Sequence, residues 1–286
     1  MEFATLSNGV KMPLVGYGLL RVSDEETERC VSEAIEVGYR AIDTAQYYLN
    51  EGGVGRAVAK SGIPREEIFI TTKVWISNVR EKTLPSIDES LRKLQTDYVD
   101  LLLIHEPYND YYSIWRGREE AYKQGKARAI GVSNFYPDRL MDFCKCVDIK
   151  PMVVQMEGHV FQQQKVEREY LKKYDIQMEA WGPLARGKNN LFTNPVLEKI
   201  AKDKGKTVGQ IALRFLVQNG IAIIPKSARK ERMEENIRLF DFSLTEDEMR
   251  EIETLDTGKN LIMDHRDPVA MEAFFANENA NTWENK

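Results

Sequence analysis

Residues 68–74 read IFITTKV. β-Branched and aromatic side chains dominate this short run, which is the composition of a strand. Lys73 interrupts it, and an ammonium enclosed by such neighbours needs a partner. Working outward, similar runs recur: LVGYG (14–18), RAID (40–43), YVDLLLIH (98–105), ARAIGVS (127–133), MVVQME (152–157), QMEAW (177–181) and IAIIP (221–225). Helical patterns separate them. In DEETERCVSEAIEVG (24–38), Cys30, Val31, Ala34 and Ile35 share one face, Ser23 or Asp24 can cap the start, and Gly38 ends the pattern. In TVGQIALRFLVQNG (207–220), Thr207 and Gln210 form a capping box and Gly220 stops the helix. Thr245 and Glu248 make a second box at the head of LTEDEMREIETL (244–255), the last helix expected before a tail rich in Asn, Asp and Glu.

Alternating strands and helices imply a parallel sheet, and eight units with no linker between them imply a closed (β/α)8 barrel, one domain over residues 1–286. Asn8-Gly9, between two short extended runs, signals a two-residue hairpin that would plug one end of the barrel. The one GxG, Gly16-Tyr17-Gly18, continues as LLRV, so the dinucleotide fingerprint of a doubly wound sheet fails at its third glycine. No repeat is visible at the level of residue identity.

Composition narrows the partners. With 42% apolar and 30% charged residues and a net charge of −5, the chain has no basic excess suited to a phosphodiester backbone, so no nucleic acid is expected. No apolar run approaches the roughly 18 residues of a membrane span, and MEFATLSNGV has no signal-peptide character. A cytoplasmic monomer is expected. The three cysteines form no CxxC pair, which suits a reducing compartment, and three histidines are too few for a His-rich metal site. No metal is expected, and His105, His159 and His265 must each be judged singly.

In a barrel of this kind, residues closing the strands converge on one face, where catalysis belongs. Asp43 closes the second strand of the barrel, Lys73 sits near the end of the third, and His105 ends the fourth; Tyr48 lies in the loop after Asp43. Each has an ordinary structural use: a turn Asp, a solvated Lys, a packed His, a half-buried Tyr. Their occurrence at three consecutive strand ends makes them a set, with Asp43 as the partner Lys73 needs.

YRAIDTAQYYLNE (39–51), TTKVW, LLLIHEP, IGVSNF, EAWGPLARG and IPKSARKERMEEN, in this order, resemble the signature segments of the aldo-keto reductase superfamily, closest to its bacterial diketogluconate- and methylglyoxal-type reductases. The likeness runs from the Asn8-Gly9 hairpin to about residue 268. It implies NADPH-dependent reduction of aldehydes and ketones, with small keto-aldehydes or sugar-derived carbonyls as substrates. By the same resemblance Tyr48, five residues beyond the Asp, is the general acid rather than Tyr47; Asp43 and Lys73 support it, and His105 orients the carbonyl. A phenol of pKa about 10 is a poor donor near neutrality. An ammonium about 4 Å away contributes on the order of 4 kcal/mol at an effective dielectric of 20, enough in principle to lower that pKa by up to about 3 and bring it close to working pH.

The resemblance also implies an extended cofactor. Ser133, Asn134 and Gln155 match the carboxamide-binding residues, and Trp181 the ring that stacks on the nicotinamide, though it would serve equally as barrel core. GPLARG (182–187), with Gly182 and Leu184, matches the pyrophosphate loop. Lys226, Ser227 and Arg232 match the pocket for the 2′-phosphate, where a guanidinium suits the dianion, and Glu235 and Asn236 match the adenine contacts. These imply NADPH over NADH. Leu20, Trp75 and Tyr108 would line the substrate pocket, with Tyr17, Tyr111, Trp115 and the tail near Met263 around its opening.

Three positions depart from the family pattern. Leu20 stands where an aromatic is common, Val154 precedes Gln155 in place of an Asn, and Glu106 follows His105 where Gln or Trp is usual. Strand alternation would turn Glu106 away from the substrate; facing the pocket, it would disfavour anionic keto acids. Two other readings stand beside the reductase: an NADPH-binding regulatory or structural protein with little turnover, against which the complete quartet argues, and a barrel lyase using Lys73 as a Schiff base, which a charge partner at Asp43 disfavours.

Overall fold

A computed structural model describes residues 2–280 of the chain. Two short strands, β1 (Phe3–Thr5) and β2 (Lys11–Pro13), pair antiparallel. Eight more form one parallel sheet in chain order: β3 (Tyr17–Gly18), β4 (Ala41–Asp43), β5 (Phe69–Val74), β6 (Leu101–Ile104), β7 (Ile130–Ser133), β8 (Val153–Glu157), β9 (Gln177–Trp181) and β10 (Ala222–Ile223). Each falls inside a run singled out in the sequence. The sheet closes on itself: Val15 bridges Ile223, the Gly16 amide donates to the Ile223 carbonyl at 2.8 Å, and the Ile223 amide donates to Leu14 at 2.9 Å. Closure explains the glycine of the failed fingerprint, since a Cβ on Gly18 would stand 2.8 Å from the Ile224 carbonyl oxygen. The fold is a (β/α)8 barrel.

Helices follow from the patterns that announced them. In α1 (Asp24–Glu36) Cys30, Val31, Ala34 and Ile35 are buried, and the Ser23 hydroxyl accepts from the Glu26 amide. The capping boxes at Thr207 and Thr245 both form, heading the helices Val208–Gln218 and Glu246–Glu253.

Two details differ. The hairpin tip is longer than two residues: its ladder ends at Thr5 and Lys11, and the Leu6 amide donates to Val10, leaving Ser7, Asn8 and Gly9 to make the turn. Asn8 serves both the turn and the barrel: its Oδ1 accepts from the Val10 amide at 3.2 Å, and its Nδ2 donates to the Arg128 carbonyl just before β7, which ties the hairpin to the amino-terminal end of the barrel. Second, the helix Glu246–Glu253 is not the last, because the tail beyond it has structure of its own. It holds a further helix, Pro268–Ala280, and residues 260–265 lie against the opposite, carboxyl end of the strands.

Candidate active site

Asp43 closes β4, Lys73 is the penultimate residue of β5, and His105 directly follows β6. Tyr48 ends the helical turn Gln46–Tyr48 after β4. Parallel pairing of β4, β5 and β6 brings these strand ends side by side. Lys73 Nζ lies 2.6 Å from Asp43 Oδ1 and 2.8 Å from the Thr44 carbonyl, with Tyr48 Oη at 3.5 Å. The Lys73 side chain is 0% exposed and that of Asp43 3%, so the pair is an ion pair inside the protein. The Asn50 amide, donating to the Leu19 and Val22 carbonyls, pins the neighbouring loop around it.

The electrostatics correct one expectation. Burial pushes the Tyr48 phenol up, to about 12; the Lys73 ammonium opposes this, while Asp43 and Glu106 reinforce it. Lys73 stands where it was expected. Its charge is shared with a carboxylate at 2.6 Å, however, and desolvation penalises the phenolate, so the phenol keeps its proton. Burial works against the charge on Lys73, but Asp43 and Tyr48 outweigh it and its pKa rises. An amine held protonated in this way is no nucleophile, which removes the support for Schiff-base chemistry. His105 is driven well below its usual value by burial, Lys73 and His265, so its ring is neutral. Its Nδ1 is buried and has no hydrogen-bond partner among the described residues. The ring packs edge-on against Tyr48 and Trp75, at 5.3 and 5.0 Å, and Trp75 stacks on Tyr47 at 4.0 Å.

Beneath these groups a carboxylate missed in the sequence completes the floor. Gln155 Nε2 donates to Asp43 Oδ2 at 2.9 Å and to Glu179 Oε2 at 2.7 Å. Burial, then the Asp43 charge, pushes Glu179 up to about 8. The signal was available: period-two alternation puts Glu179 on the same face as Trp181. Ser133, Gln155 and Glu179 sit at one level across β7, β8 and β9, and the Ser133 hydroxyl is buried without a partner among the described residues.

Asn134, by contrast, is bonded at both ends of its amide. Its Oδ1 accepts from Trp181 Nε1 at 2.9 Å and its Nδ2 donates to Glu106 Oε2 at 3.1 Å. Trp181 is thus a half-buried ring tethered at the barrel mouth, not core. Glu106 is buried against Asn134 and the tail residue His265, whose Nε2 lies 2.8 Å away. It is turned neither to solvent nor away from the site: its charge acts on Tyr48.

A cavity of about 260 Å³ lies further out, lined by Leu184, Lys226, Arg232, Glu235 and Asn236, all expected, and by Phe192, Thr207, Val208 and Gly209, which were not. Lys226 and Arg232 are exposed, and neither makes an ion pair or side-chain hydrogen bond among the described residues. Ser227 lies beside them, its hydroxyl bonded to the backbone of Arg229. Gly182, at φ +63°, opens the loop between cavity and floor, where a Cβ would meet Ile262 of the tail at 2.7 Å.

The tail is held by a buried clamp. Both oxygens of Glu157 accept backbone N–H groups of residues 261–263, at 2.6 to 3.3 Å, and Oε1 lies 3.0 Å from His159 Nε2. His159 and His265 therefore both serve the tail. The Tyr108 hydroxyl donates to the His265 carbonyl and Phe274 approaches Trp75, so Tyr108 and Trp75 do flank the mouth, with Leu20 half-buried after β3. Trp115 and Tyr17 do not. Trp115 is fully buried with its N–H on Glu119 and Ile149, and Tyr17 is enclosed with its hydroxyl on the Ser227 carbonyl. Tyr111 packs on Phe135 and Phe143 instead of the opening.

Known proteins resemble this chain in sequence and fold. The model of the Aldo/keto reductase family matches residues 12–257. Glyoxal reductase of Bacillus subtilis (strain 168) is 47% identical over 259 residues, covering 90% of this chain and 93% of its own. The 9,11-endoperoxide prostaglandin H2 reductase of Trypanosoma cruzi (strain CL Brener) is 45% identical over 261 residues, 90% of this chain and 92% of its own. The crystal structure of a Bombyx mori aldo-keto reductase in complex with NADP superposes with a TM-score of 0.86 at 35% identity, covering 91% of this chain and 94% of that one. An ion pair, a phenol and a neutral imidazole at adjoining strand ends, on a barrel that such relatives match over nine-tenths of its length, place this chain in the aldo/keto reductase family.

Proposed function

We propose that this protein reduces small aldehydes and ketones, keto-aldehydes among them, to alcohols with NADPH, and that Tyr48 delivers the proton. The observation that carries the reading is the buried Lys73–Asp43 pair with its ammonium 3.5 Å from the Tyr48 hydroxyl, beside a neutral His105. NADPH, when bound, supplies the hydride that the carbonyl carbon accepts.

The side chains do the rest. His105, uncharged, offers the carbonyl oxygen an N–H without competing for a proton. As negative charge develops on that oxygen, the Tyr48 O–H bond breaks toward it and the alcohol O–H forms. Lys73 stabilises the phenolate left behind, a preorganised charge aimed at where charge develops. Asp43 keeps Lys73 in place. Tyr48 then recovers its proton from solvent. Two residues support NADPH over NADH: Lys226 and Arg232 line the outer cavity as unpaired cations, the site a 2′-phosphate dianion requires. At the floor, the unpartnered Ser133 hydroxyl suits the carboxamide. Tyr47, Trp75 and Phe274 wall the mouth with aromatic rings, a surface for compact carbonyl compounds, and a relative named for glyoxal reduction agrees with that choice. Absorbance of NADPH tests the proposal when methylglyoxal, a nitrobenzaldehyde and a diketogluconate are offered in turn. Substrate-dependent oxidation is expected; tight NADPH binding without oxidation of any of the three would refute turnover.

A further inference from the structure

Resting on the reading of this site as one for a nicotinamide cofactor, we propose that Glu179 is a positioning residue: with Asp43 it holds the Gln155 amide nitrogen against the barrel floor. Gln155 Oε1 then faces the cofactor and accepts a hydrogen bond from its carboxamide N–H.

A glutamine amide can take two orientations of almost the same shape, differing in which end donates. Here the choice is forced. Both hydrogens of Gln155 Nε2 are committed, one to Asp43 Oδ2 at 2.9 Å and one to Glu179 Oε2 at 2.7 Å. The flipped amide would put Oε1 against Asp43, whose other oxygen already takes the Lys73 ammonium, leaving lone pair facing lone pair. Oε1 receives no hydrogen bond from any described residue. One register step away, on β7, the buried Ser133 hydroxyl also lacks a partner. Together they present one acceptor and one donor at the same level of the barrel, the complement of a primary carboxamide with its N–H and its carbonyl. Asn134, tied to Trp181 and Glu106 by one bond at each end of its amide, keeps one N–H and one lone pair beside this pattern. Asp43, whose other oxygen holds Lys73, therefore selects the amide orientation, and Glu179, buried with its Oε2 on Gln155 Nε2, holds it there. Its carboxyl is pushed up to about 8 by burial and then Asp43, so near neutrality it is an uncharged acceptor, a role that a glutamine side chain can also fill.

The test measures dissociation constants, by quenching of intrinsic fluorescence, for NADP⁺ and for its 3-acetylpyridine analogue, in which a methyl replaces the amide nitrogen. Wild-type protein should bind NADP⁺ about tenfold more tightly than the analogue, since the analogue leaves Oε1 buried without a donor. Glu179→Leu should bring that ratio down at least about threefold, and Glu179→Gln should restore it. A ratio unchanged in Glu179→Leu, with both ligands weakened alike, would show a merely structural role and overturn the proposal. So would a wild-type ratio near one, which needs no variant to fold. Failure of wild-type protein to bind NADP⁺ at all would instead refute the cofactor reading on which the inference rests.

Discussion

Replacing Lys73 by Met separates the electrostatic role of the lysine from its structural one. At 3.5 Å, a unit charge acts on a phenolate with about 5 kcal/mol at an effective dielectric of 20. If the phenol has lost about half its proton in the transition state, roughly half of that, about 2.5 kcal/mol, is lost from catalysis, near a hundredfold in kcat. The remaining Asp43 carboxylate opposes the phenolate further, so a loss of about 10²–10³ is expected. The same change strands Asp43 in a dry site, and removing one partner of a buried pair costs about 3–5 kcal/mol of stability. Lys73→Met/Asp43→Asn should recover most of that stability, because no uncompensated charge stays buried. It should still reduce carbonyls at least about tenfold more slowly than wild type, because the ammonium remains absent. Single-turnover reduction of a nitrobenzaldehyde gives the rate and urea unfolding gives the stability. Recovery of wild-type rate together with stability in the double variant would refute the reasoning, leaving Lys73 a scaffold residue only.

Other outcomes follow from the same geometry. Arg232→Ala should raise the KM for NADPH far more than that for NADH; equal effects would contradict a 2′-phosphate site. Glu179 binds its proton more tightly folded than unfolded, so the folded chain holds extra proton between pH about 4.5 and about 8, and its contribution to stability falls across that window as pH rises, by at most about 1.4 kcal/mol per pH unit. Glu179→Gln should flatten that part of a stability–pH profile, and an unchanged slope would refute the assignment. Glu157→Gln replaces one of two acceptor oxygens with a donor facing the backbone amides of residues 261–263. A loss of about 3 kcal/mol and faster amide hydrogen exchange at those three residues are expected, and unaltered protection would argue against the clamp.

The barrel was legible because its evidence is local. Each barrel strand announces itself by a short apolar run, the helices Asp24–Glu36, Val208–Gln218 and Glu246–Glu253 by period and cap, and eight βα units leave one closed arrangement. The quartet was legible for a related reason: the rule that strand ends converge turns sequence position into spatial position. What stayed hidden depends on contacts between distant segments. Glu157 grips backbone amides about a hundred residues away, and no side-chain pattern marks an amide as gripped. Glu179 looks like any acid in QMEAW until β9 is set beside β8. Trp115 and Tyr17 have the composition of pocket residues, yet their N–H and O–H find partners inside the core. The expected lowering of Tyr48 missed because a sequence shows the cation but not the dryness around the phenol.

The central claim is that one phenol of an adjacent pair delivers the proton. Single-turnover reduction of methylglyoxal by Tyr48→Phe and by Tyr47→Phe, at saturating NADPH, measures it directly. The account predicts that Tyr48→Phe loses carbonyl reduction by a thousandfold or so while Tyr47→Phe stays within about tenfold of wild type. The reverse order, or full activity in Tyr48→Phe, would contradict it.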